Sequence, residues 1–120
     1  MSCLFNSLSY FIPNVDSNSI RQQICDYLER NEPIIDGLET NFILSMENLN
    51  YISNMRQTFV WGGAIEIQVA CNLWNLQINV RNYRDCKGQI IEFLPIVSSP
   101  TRIIELEWSG GHYEPVRNYW

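Results

Sequence analysis

The chain has 120 residues, of which 46% are hydrophobic and 18% charged; this suits one globular domain with its own apolar core and excludes a disordered chain. A net charge of −5, a single lysine (Lys87) and scattered arginines exclude a phosphate-backbone partner, so no nucleic acid is expected. No apolar run approaches the ~20 residues that span a bilayer, and Met1-Ser2-Cys3-Leu4-Phe5 lacks the basic flank and apolar core of a signal peptide, so no membrane partner is expected.

Apolar residues at Leu4, Phe5, Leu8 and Phe11 follow a helical period over Cys3–Phe11, and Pro13 ends it. Asp16 to Ser19 supply cap candidates for a second helix running to about Arg30, with Ile20, Ile24, Tyr27 and Leu28 as its core stripe. Asn31-Glu32-Pro33 breaks that pattern and Asp36-Gly37 marks a turn. Leu38 to Met55 reads as mostly helical but interrupted, with Leu49, Ile52 and Met55 sharing a face and Ser45 as a cap.

Trp61-Gly62-Gly63 punctuates the chain, and a strong helix follows from about Ala64 to Trp74. With Gly63 as its cap, Glu66 falls at the third helical position, where a carboxylate meets free N–H groups and the positive end of the dipole. Apolar residues on two adjoining faces of this helix predict burial against a sheet. The period then changes to two. Leu76, Ile78 and Val80 alternate with polar residues, Asp85-Cys86-Lys87-Gly88 turns the chain into Gln89–Leu94, and Arg102–Trp108 forms a third strand. Helices first and strands afterwards predict an α+β fold.

Four cysteines (Cys3, Cys25, Cys71 and Cys86) match no CxxC zinc or redox spacing, and one histidine leaves no Cys/His metal set. No metal or cofactor is expected, and reduced thiols in a cytoplasmic protein are. The one imidazole, His112, is the sole histidine base available to any cysteine nucleophile. Cys3 opens the first helix, where free N–H groups and the dipole favour a thiolate. Cys71 and Cys25 fall on or beside apolar helix faces and read as small core residues, while Cys86 lies in a turn. Position alone leaves an inert thiol open for Cys3 as well.

His112 follows a strand and two glycines that let the backbone bend sharply, a placement that suits a base at a site's mouth and an ordinary hairpin loop equally. Glu114, two residues on, shares its face if this segment is a strand, and its carboxylate can orient the imidazole. Trp61-Gly62-Gly63 reads as architectural, forming a floor beside the site.

Three separated segments fall into one pattern. Cys3-Leu4-Phe5-Asn6-Ser7-Leu8-Ser9 resembles the nucleophile segment of ovarian-tumour (OTU) domain cysteine proteases. Met55 through Trp61-Gly62-Gly63 to Ile78-Asn79-Val80 resembles their Trp-Gly-Gly helix and following strand, and His112-Tyr113-Glu114-Pro115-Val116 their His-Tyr-Asn/Asp-x-Val ending. Ile20-Arg21 matches the Leu-Arg that opens the second helix there. The resemblance spans nearly the whole chain and implies a single papain-like domain over 1–120, with a small, mostly antiparallel sheet packed between helices.

The resemblance further implies a monomeric cysteine-dependent deubiquitinase that hydrolyses peptide or isopeptide bonds after the C-terminal glycine of ubiquitin or a ubiquitin-like protein. Cys3 would be the nucleophile, His112 the general base and Glu114 its orienting partner. Alternatives are a catalytically impaired ubiquitin-binding module and a protease of the same fold acting on another protein. The family carries Asp-Gly-Asn directly before the nucleophile, where Met1 and Ser2 stand here, so the oxyanion-loop segment is expected to be lacking from 1–120. Glu114, where the family has asparagine or aspartate, keeps the acceptor at the cost of one methylene.

Overall fold

The computed structural model describes residues 2–35, 37–44, 47, 50–84, 88–96 and 99–116. The first two helices, α1 (Cys3–Phe11) and α2 (Ser17–Glu29), pack against each other. Asp16 caps α2, its Oδ1 accepting the Ser19 N–H at 2.7 Å. Leu4, Phe5 and Leu8 of α1 meet Ile20, Ile24 and Leu28 of α2 in one buried core. Burying each such side chain contributes roughly 1.5–3 kcal/mol.

Short strands β1 (Pro33–Ile35) and β2 (Leu38–Glu39) pair antiparallel, and α3 (Thr40–Leu44) and α4 (Tyr51–Met55) follow. This corrects the expectation of helix from Leu38 onward, and of helices preceding every strand. Gly37 takes a φ of +81°, a left-handed conformation that reverses the chain, and both the N–H and hydroxyl of Thr40 bond back to the Glu32 carbonyl. Strands this short carry no readable alternation. Asp36, Ser45, Leu49 and the Asp85-Cys86-Lys87 turn lie outside the described residues.

The long helix α5 spans Ala64–Trp74. Gly63 precedes it, and Glu66 reaches back from the third helical position so that Oε1 accepts the Gly63 N–H at 2.7 Å. Asn75, at φ +53°, ends α5 in the left-handed conformation and turns the chain directly into β3 (Leu76–Asn82). The sheet is completed by β4 (Gln89–Phe93), β5 (Arg102–Trp108) and β6 (Tyr113–Pro115), in the order β4-β3-β5-β6.

Two of its three pairings are antiparallel, but the central pair, β3 with β5, is parallel over seven residues from Leu76↔Arg102 to Asn82↔Trp108. The sheet is therefore mixed. Leu76, Ile78 and Val80 with Ile104 and Leu106 turn inward, where Ile67, Val69 and Ala70 of α5 are also buried. Against the far edge, α1 packs on β6, which sets the first helix beside the last strand. Among the described residues no helix is long and apolar enough to cross a membrane.

Candidate active site

Cys3 is the first residue of α1, and the first N–H groups of a helix have no intrahelical acceptors. Ser2 is held in place before it. The Ser2 hydroxyl donates to the Thr58 carbonyl at 3.1 Å, and the Ser2 carbonyl accepts the Asn6 N–H at 2.7 Å. On the other side of the site, Trp108 and Tyr113 face each other across β5 and β6, their rings stacked at 6.2 Å. The intervening turn closes when the Ser109 N–H bonds to the His112 carbonyl at 3.1 Å. Gly110 takes φ +103°, a conformation that side-chain-bearing residues rarely adopt, so glycine suits this corner.

That turn delivers His112 to the cleft that Cys3 opens onto, a depression of about 760 Å³ lined also by Asn6, Tyr10, Glu107 and Glu114. His112 Nε2 lies 3.2 Å from Glu114 Oε1. If Nε2 carries the proton it donates to the carboxylate, which leaves Nδ1 with a lone pair for a thiol proton. The three residues singled out from the sequence thus line one cleft. Their separation in the chain is closed by the packing of α1 on β6.

Two neighbours escaped the sequence reading. Glu107 stands directly opposite Glu114 across β5 and β6 and gives the cleft an acidic wall. Its signal was the four-residue turn Ser109–His112, which fixes this register once Trp108 and Tyr113 are paired. Tyr113 lines both the main cleft and an adjoining apolar channel of about 330 Å³, and Cys3 sits at the junction of the two. Burial, then the nearby Cys3 and Glu66 charges, hold the Tyr113 hydroxyl above its usual pKa. It serves as a neutral wall.

Trp61-Gly62-Gly63 and Gly110-Gly111 line the channel. The architectural reading of the first motif agrees with its packing, since a Cβ on Gly62 would stand 2.7 Å from Leu4 Cδ2 and 2.9 Å from Phe5 Cζ. The remaining described thiols are buried. Burial pushes Cys25 up to about 11 and Cys71 up to about 12, so neither is a thiolate near neutrality. Among the described residues no cluster of His, Cys, Asp and Glu could hold a metal ion.

A model of the OTU-like cysteine protease family matches residues 2–105 of this sequence. The chain belongs to the OTU family. Cys3 falls inside the matched segment, whereas His112 and Glu114 lie beyond its end. An OTU relative, the ovarian tumor domain-containing deubiquitinating enzyme 9 of Arabidopsis thaliana, is 28% identical over 120 residues, covering 96% of this chain and 32% of that protein. The chain therefore spans about a third of the length of the curated relative it matches. A solved OTU domain in complex with ubiquitin superposes with a TM-score of 0.74 at 24% identity, covering 95% of this chain and 62% of that one. The viral OTU domain protease of Dera Ghazi Khan virus gives 0.70 at 19%, covering 99% and 76%. At these identities the superpositions establish the fold, an α+β OTU domain of papain-like type.

Proposed function

We propose that this chain is a cysteine-dependent deubiquitinase with Cys3 as nucleophile, His112 as general base and Glu114 as the group that orients His112. The observation that carries the reading is the meeting of a helix-start thiol and a carboxylate-bonded imidazole in one cleft. A relative named as a deubiquitinating enzyme and an OTU domain solved with ubiquitin support ubiquitin as the partner.

In this mechanism His112 Nδ1 takes the Cys3 proton and the thiolate attacks the carbonyl carbon of the substrate's terminal glycine. Negative charge on the carbonyl oxygen is met by free N–H groups in the first turn of α1, the donors this chain offers. The tetrahedral adduct collapses, the C–N bond breaks, and the imidazolium returns the proton to the departing amine. Water, deprotonated by His112, then attacks the thioester; the C–S bond breaks, the Cys3 thiolate leaves and takes the proton back from His112, and the released acid gives its own proton to solvent. Glu114 stabilises the imidazolium twice in each cycle.

The test is hydrolysis of ubiquitin carrying a fluorogenic amide at its C-terminus. Turnover that is abolished in Cys3→Ala and His112→Ala is the expected result. Tight ubiquitin binding without turnover by the wild-type chain favours the impaired module instead.

A further inference from the structure

Arg21 is 1% exposed, although a guanidinium surrenders more hydration on burial than almost any other side chain. Burial lowers its pKa, but a guanidinium is so strong a base that it stays protonated inside proteins. An apolar side chain would fill the same core volume more cheaply, so the question is what the charged fork does.

Its contacts join the residues flanking Cys3 to the segment that follows α4. Nη1 donates to the Met55 carbonyl at 2.7 Å, at the end of α4. Nη2 donates to the Ser2 hydroxyl and to the Thr58 carbonyl, both at 3.3 Å. The guanidinium also lies over the Phe5 ring, 4.2 Å from its centre. Ser2 immediately precedes Cys3 and Phe5 follows two residues after it, so one planar group touches the first turn of α1 on both sides of the thiol.

The segment that Arg21 grips at Met55 and Thr58 runs on into Trp61-Gly62-Gly63, where Gly62 is pressed against Leu4 and Phe5. The far end of that segment is held by Glu66, which accepts from the Gly63 N–H and, through Oε2, from Tyr51 at 2.6 Å. Arg21 and Glu66 thus clamp opposite ends of the loop that lines the channel beside Cys3.

We infer that Arg21 is a positioning residue for the Cys3 thiol, setting the direction of the first turn of α1 through Ser2 and Phe5 and seating the Trp61 loop against it. The inference rests on Cys3 being the nucleophile. A lysine keeps the charge but cannot present parallel donors to Met55, Thr58 and Ser2 at once, so the substitution separates charge from geometry.

The test compares Arg21→Lys, Ser2→Ala and Arg56→Gln in the full chain. Arg56 also ties α2 to the end of α4, through Asp26 and Glu29 at 2.8 and 2.9 Å, but makes these contacts on the outer surface away from Cys3. Two readouts are used below each protein's melting transition: hydrolysis of the fluorogenic ubiquitin amide, and the pH profile of Cys3 alkylation by iodoacetamide, read by mass spectrometry. Arg21→Lys is expected to lower kcat by roughly ten- to a hundredfold with KM within about twofold, because a misdirected nucleophile loses rate rather than binding. It is expected to shift the alkylation profile as well. Ser2→Ala, which removes one hydroxyl and leaves the core intact, should move both readouts the same way by a few-fold. Arg56→Gln should lower the melting temperature and change neither.

Wild-type kcat and an unchanged alkylation profile in both Arg21→Lys and Ser2→Ala would overturn the inference, as would equal changes in Arg56→Gln. If Arg21→Lys does not fold, Ser2→Ala decides. Should the wild-type chain fail to hydrolyse the ubiquitin amide, the proposed function falls while the alkylation profiles still judge Arg21.

Discussion

Gly62 and Leu4 are in such close contact that a single methyl group added to the glycine would stand 2.7 Å from Leu4 Cδ2. Leu4 and the adjacent Phe5 are both fully buried, so neither has open space to retreat into. The helix that carries Cys3 is therefore seated directly on the backbone of the Trp-Gly-Gly loop. Gly62→Ala is expected to displace the first turn of α1, costing about 1–3 kcal/mol in overpacking and lowering kcat more than tenfold. Denaturant unfolding and initial-rate kinetics check the two parts. A fully stable and fully active Gly62→Ala protein contradicts this seating.

Glu66 makes stability depend on pH. It is 1% exposed, and burial raises its pKa, opposed by the Tyr51 and Gly63 hydrogen bonds and the Arg21 charge. For an acid whose pKa is higher in the folded state than in the unfolded, the stabilising contribution is complete below the unfolded value and is lost as pH rises through the folded one. Glu66→Gln removes this linkage. The unfolding free energy of Glu66→Gln minus that of the wild type is expected to move in the variant's favour as pH rises from about 4, just below the unfolded carboxyl value, towards 8. A difference that stays flat over this interval contradicts the raised pKa.

The four thiols should separate by reactivity. Burial pushes Cys25 up to about 11 and Cys71 up to about 12 and also shields both from reagent. In a Cys86→Ser background, brief iodoacetamide treatment of the native protein near pH 7.5 is expected to add one carbamidomethyl group, at Cys3. Three should appear once the protein is unfolded. Labelling of Cys25 or Cys71 in the native chain would contradict their burial.

Glu114 and His112 are both more than half exposed, at 63% and 55%, so their contact adds little to stability. Its effect is expected in kcat. Glu114→Ala should cost roughly ten- to a hundredfold in kcat, and Glu114→Gln, which keeps an acceptor at the same reach, should cost less. Both are expected to melt within about 2 °C of the wild type, since surface changes of this kind stay near ±0.5 kcal/mol. Equal losses in the two variants would place charge above orientation.

Much of this architecture is legible in the residues. Cys3–Phe11, Ala64–Trp74 and Arg102–Trp108 form the elements their periodicity predicts, because each presents an uninterrupted apolar pattern to one core. The β1–β2 hairpin escapes such a reading, since strands of three and two residues have no period to detect. Parallel pairing of β3 with β5 is likewise silent, because alternation says which face is buried but not which neighbour a strand takes. At the site, Cys3, His112 and Glu114 could be picked out by residue type and motif. Arg21 could not be assigned a burial, for its partners Ser2, Met55 and Thr58 come from distant parts of the chain.

The central claim is that Cys3, set on the same cleft as His112 by the packing of α1 on β6, is a working nucleophile for ubiquitin's C-terminus. Its most direct test is incubation with ubiquitin bearing a thiol-reactive group in place of the terminal glycine carboxylate, read by intact mass. One ubiquitin is expected to attach covalently to the wild-type chain, at Cys3, with no adduct in Cys3→Ala and a strongly slowed one in His112→Ala. A wild-type chain that binds the probe without forming an adduct, or an adduct that persists in Cys3→Ala, would contradict the claim.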